Sequence, residues 1–120
     1  MTRPAILTLL VLALAVSAVG HRTALAVEVV PRIMLRRSDV RIKCLIDPRA
    51  ENRALIVTAW CDEANVRSSG VELRGDRSAY ATWIEWRDLE VCPYAIVAEV
   101  IRADGSRIQA QTSIAVPERE

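Results

Sequence analysis

The chain contains no phenylalanine, one histidine, four glycines and three cysteines in 120 residues. Each scarcity removes a class of chemistry. The glycines after residue 26 are Gly70, Gly75 and Gly105, so neither a phosphate-cradling loop nor a dinucleotide fingerprint can be written. The histidine is His21, close to the start. A mature chain that begins later has none, which excludes Ser-His-Asp and Cys-His constellations and His-ligated zinc, iron or copper. General acid–base work then falls to carboxylates, Tyr80, Tyr94 or Lys43, the only lysine. No Cys-x-x-Cys occurs, which speaks against a redox role. A net charge of +1 excludes a strongly basic nucleic-acid binder and an acidic solvating tail. The length is that of one domain.

What is present begins with an apolar run. Arg3 precedes Ala5 to Gly20, sixteen residues without charge, and a short polar stretch leads to Ala24-Leu25-Ala26. That is the layout of a secretory signal peptide, with a helical leader at residues 1–26 and cleavage between Ala26 and Val27. Ala18-Val19-Gly20 offers a second, weaker cut, and an uncleaved single anchor is the rival reading. Sixteen apolar residues fall short of the roughly 20 that an upright membrane-spanning helix needs. The expected location is secreted or periplasmic. A mature chain 27–120 loses two arginines and no acid, leaving 14 basic residues against 15 acidic ones.

From Val27 onward the hydrophobic period is two. Val40, Ile42, Cys44 and Ile46 alternate with Arg41, Lys43, Leu45 and Asp47. Leu55, Val57, Ala59 and Cys61 alternate with Ile56, Thr58, Trp60 and Asp62, and Tyr94, Ile96, Ala98 and Val100 repeat the pattern. Asp104-Gly105 is a hairpin turn signal. The spacing predicts an all-β domain of about seven strands, near 27–35, 39–47, 54–61, 70–74, 79–87, 94–102 and 107–116. Ser78–Glu90 also reads as a helix, with Tyr80, Trp83, Ile84 and Arg87 on one face. The expected core is Val40, Ile42, Cys44, Ile46, Leu55, Val57, Leu73, Ile84, Trp86, Leu89, Ile96, Ala98, Val100, Ile108, Ala110, Ile114 and Val116.

The passage from Trp86 to Val100, followed by Asp104-Gly105, resembles the corner and hairpin of immunoglobulin-like and fibronectin type III-like bacterial domains. Leu89, Tyr94 and Ile96 match that pattern; Glu90 and Cys92 depart from it, standing where Pro and Gly are usual. The resemblance implies an immunoglobulin-like sandwich over 27–120, with Leu89 and Tyr94 defining the corner and the Tyr94 hydroxyl bonding back to the backbone. It also orders the cysteines. Ile96 stands where the usual inter-sheet bridge would have its second Cys, so Cys44 stays a buried apolar group. Cys61 and Cys92 come to neighbouring strand ends and pair, or stand as two free thiols.

The same resemblance turns Ile56, Trp60, Val97 and Ile101 outward on the C–F–G sheet, that of the third, sixth and seventh strands. An apolar patch there implies a protein partner, or a second copy, docked on that face or on an edge strand. The rival is a covered face or a register slip. Arg74-Gly75-Asp76 spells an adhesion tripeptide but reads as a plain turn. Asp62 and Glu63 with Asp47 or Asp88 lack calcium-ligand spacing. The expectation is an exported, non-enzymatic protein-interaction module without metal, cofactor, nucleic acid or, once cleaved, membrane attachment. The alternatives are a structural cell-envelope domain and a carboxylate-based enzyme.

Overall fold

The computed structural model describes residues 23–117; the expected leader lies outside the described residues except for 23–26. Seven strands follow in order: β1 (Leu25–Val30), β2 (Ser38–Ile46), β3 (Asn52–Asp62), β4 (Asn65–Glu72), β5 (Ala81–Leu89), β6 (Ala95–Arg102) and β7 (Arg107–Ser113). They form a three-stranded sheet, β1-β2-β5, and a four-stranded sheet, β4-β3-β6-β7, with every pair antiparallel. Among the described residues the one helical element is a 3-10 turn, Gly75–Arg77.

Period-two alternation builds the core between the sheets. Val40, Ile42, Cys44 and Ile46 from β2 meet Leu55, Val57 and Ala59 from β3 and Ile96, Ala98 and Val100 from β6, all fully buried or nearly so. Burying each large aliphatic group stabilises the fold by about 1.5–3 kcal/mol. Ser78–Glu90 is not a helix: β5 buries Ile84, Trp86 and Leu89 and leaves Trp83 exposed, with Tyr80 exposed just before it. Trp86 Nε1 donates to Ser69 Oγ at 2.8 Å, which satisfies the indole N–H of a buried ring.

Three boundaries differ from the sequence expectation. The polar stretch 62–70 is mostly strand, because β4 is an exposed edge and needs few apolar side chains. β7 is the other edge, so Ile108 and Ala110, and Val116 beyond it, are only partly buried. β1 begins and ends earlier than expected. Pro31 has no N–H to donate and ends it; the chain then crosses to the other sheet, where Met34 N donates to Ala115 O and Ala115 N to Arg32 O, both at 2.8 Å. Met34 is fully buried by that crossing, which the alternation did not anticipate.

The start of β1 bears on the leader. Leu25 pairs with Ile46 and Ala26 with Leu45, and Asp47 N donates to Ala24 O at 3.0 Å. Leu25 is only 5 % exposed. Ala24, Leu25 and Ala26, expected to end the leader, and Val27, expected to open the mature chain, all sit within the fold.

Candidate functional site

At one end of the molecule the chain makes two close approaches. On the first, β3 turns into β4. Asp62 Oδ1 accepts from Ala64 N at 2.9 Å and Asn65 N at 3.0 Å, and Asn65 Nδ2 reaches the same oxygen at 3.2 Å. The carboxylate thus stands in for a backbone acceptor and sets a tight turn. On the second, the chain passes from β5 to β6. Asp88 adopts a left-handed φ of 59°, which Asp tolerates better than most residues, and its N–H donates to Asp39 Oδ1 at 2.8 Å. Tyr94 then folds back, its Oη donating to Glu90 O at 3.0 Å.

A disulfide joins the two approaches. Cys61, at the end of β3, is bonded to Cys92, with a Cα–Cα distance of 6.2 Å. Cys44 is the free cysteine, buried in the core, and burial pushes its thiol up to about 11.

Between the approaches lies a groove of roughly 390 Å³, lined by residues 64–67 on one side and by Arg37, Asp88, Leu89, Glu90 and Tyr94 on the other. Arg37 holds the second wall: its guanidinium donates to Asp88 Oδ2 at 3.2 Å and to Glu90 Oε1 at 2.9 Å. That wall carries two carboxylates and one guanidinium. The opposite wall carries Arg67, which is exposed and whose side chain makes no hydrogen bond or ion pair among the described residues. The groove is therefore polarised, net negative on one side and net positive on the other. Tyr94 feels charges from both sides: burial raises its phenol first, Glu90 and then Asp62 add to the rise, and Arg67 and Arg37 oppose it.

The four residues expected to form a partner patch do share a face. Trp60 is 54 % exposed, while Ile56, Val97 and Ile101 are half-buried. None stands directly opposite another across β3 and β6: Ile56 faces Glu99, Val97 faces Thr58 and Ile101 faces Ala54. Glu99 accepts from Arg107 and Gln109 and keeps polar groups in the middle of that face. The Arg74-Gly75-Asp76 tripeptide runs into the 3-10 turn, with Gly75 buried at a φ of +61°.

No family model matches the chain, and no curated protein does. Solved structures do match. Superoxide reductase (neelaredoxin) from Ignicoccus hospitalis superposes with a TM-score of 0.62 at 10 % identity, covering 79 % of this chain and 81 % of that one. A single-substitution variant of the same enzyme gives 0.64 at 12 % identity over 86 % of both chains. The chain is similar in fold to superoxide reductase. At such identities the likeness establishes the fold and nothing finer.

Two expectations are corrected by it. These structures are superoxide reductases, so the assignment to immunoglobulin-like and fibronectin type III-like domains does not hold. The expectation of a non-enzymatic interaction module docking through its C–F–G face is corrected as well, because this fold serves a redox enzyme in those proteins. The redox activity of superoxide reductase raises the question of a metal centre. Among the described residues there is no histidine, and the one cluster of three possible ligand groups is Cys61, Asp62 and Cys92, with donor atoms within 4.8 Å of one another. Its two sulfurs are bonded to each other and offer no thiolate. These residues in the disulfide state do not fit a redox metal, and no step through one is derived.

The sequence pointed to Cys61, Cys92, Leu89 and Tyr94 but not to Arg37 or Arg67. Nothing in the sequence separates those two from the other arginines; only the topology brings residue 37 to residues 88 and 90.

Proposed function

We propose that this chain is an exported protein that binds a small zwitterion, of the size and charge layout of a free α-amino acid, in the groove beside the Cys61–Cys92 bridge. The carrying observation is the polarised pair of walls. Arg67, exposed and without a partner among the described residues, is free to take a carboxylate in a forked hydrogen bond. The opposite wall retains an excess carboxylate after Arg37 is counted and suits an ammonium group. The disulfide ties the two approaches together before any ligand arrives, which reduces the ordering cost of binding. Groove size supports the reading, since small-molecule sites start near roughly 300 Å³. Export is supported by Arg3, the apolar run Ala5–Gly20 and a disulfide suited to an oxidising compartment.

The test is a thermal-shift and calorimetric titration with a panel of α-amino acids. A ligand at about 100 times its Kd raises stability by about 2.7 kcal/mol, which is roughly 10–20 °C for a domain of this size. Arg67→Ala is expected to weaken binding by at least about tenfold, since losing even one bond of a charge-assisted forked pair costs that much. No response to any amino acid, or an affinity unchanged in Arg67→Ala, refutes the proposal.

A further inference from the structure

We infer that export processing of this chain cuts after Gly20 and not after Ala26. The inference rests on the export reading above. The sequence pattern alone favours Ala24-Leu25-Ala26, but the fold has already used those residues. Leu25 is buried and paired with Ile46, Ala26 is paired with Leu45, and Ala24 O accepts from Asp47 N. A cut at 26 would shorten β1 from six residues to four and remove the carbonyl that accepts from Asp47 N. β1 lies at the edge of its sheet, so no further strand of that sheet replaces the lost pairing.

The upstream site has none of these costs. Ala18 and Gly20 give small side chains three residues and one residue before the bond, as export endopeptidases require. The leader becomes residues 1–20, with Arg3 as its basic start and an apolar stretch of ordinary length behind it. The reaction is hydrolysis. Water adds across the Gly20–His21 peptide, the C–N bond breaks, Gly20 keeps the hydroxyl as a carboxylate and His21 gains a proton as the new amino terminus. All of β1 survives, with three residues to spare before Ala24. The mature chain keeps His21 and Arg22, so the expectation of a histidine-free mature protein falls, and 15 basic residues then balance 15 acidic ones.

The experiment is expression of the whole 120-residue chain in a bacterium with an intact export pathway, followed by intact-mass and amino-terminal analysis of the exported protein. A start at His21 is expected. A start at Val27, or at any other internal residue, overturns the inference and leaves export standing. An exported chain that still begins at Met1 overturns the cut and leaves export standing as an uncleaved anchor, whereas a chain absent from the exported fraction overturns the export reading beneath it. Two variants make the assignment specific. Gly20→Leu is expected to abolish the His21 start, whereas Ala26→Leu is expected to leave it in place; the opposite pattern overturns the cut after Gly20.

Discussion

Replacing both bridged cysteines, Cys61→Ala with Cys92→Ala, tests how much of the stability comes from confining the unfolded chain. The bridge spans a sequence separation of 31. On the chain-entropy account a closed loop of about 32 residues contributes roughly 3–4 kcal/mol, chiefly by removing conformations from the unfolded ensemble. A single domain has about 5–15 kcal/mol in all, so the variant is expected to fold but to be much weakened. At about 4–8 °C per kcal/mol, the thermal midpoint falls by roughly 15–30 °C. Urea unfolding reads the same quantity. With a slope of about 1–3 kcal/mol per molar, the midpoint drops by roughly 1–4 M. Trp86 is the reporter, since it is buried and hydrogen-bonded to Ser69, whereas Trp60 and Trp83 are already exposed. The slope should rise slightly, because the uncrosslinked unfolded chain exposes more surface. Wild-type protein unfolded in the presence of a reductant should match the variant. A midpoint shift below about 0.5 M, worth about 1 kcal/mol, refutes the reasoning.

Cys44 is expected to resist alkylation at pH 8 in the native protein and to react once the protein is unfolded. Because its folded value is raised from 9.0 to about 11, its contribution is complete below pH 9 and is lost as pH rises from there through about 11. Cys44→Ala should flatten that alkaline decline in thermal midpoint, and an unchanged profile counts against it. Gly75→Ala is expected to cost about 1–3 kcal/mol, because the residue sits at φ +61° and an added Cβ would lie 2.9 Å from Ala50 O; a neutral effect in urea unfolding contradicts this.

The two-sheet body was legible wherever a strand buries one face. Val40 to Ile46 and Ile96 to Val100 announce themselves by alternation, because water on one side and core on the other demand it. Legibility failed where that contrast disappears. β4 is polar on an exposed edge and reads as a loop. Met34 is buried by a crossing between sheets, not by a strand period. The leader boundary is a separate case: Ala24-Leu25-Ala26 satisfies a protease pattern and a strand equally well, and the pairing of Leu25 with Ile46 and Ala26 with Leu45 is visible only in the structure. Arg37 and Arg67 were invisible because a groove is made by contacts across the chain. Family likeness also misled, since Leu89, Tyr94 and Ile96 describe a corner that does not tell one fold family from another.

The Cys61–Cys92 bond encloses β4, the 3-10 turn and β5 within one covalent ring. A protease that nicks the exposed arginines at 74 or 77 therefore opens that ring without dividing the molecule. Under non-reducing electrophoresis the nicked protein runs as a single species, and it separates into two fragments only after the sulfurs are parted. Damage on this side of the molecule stays hidden in any assay that preserves the bond.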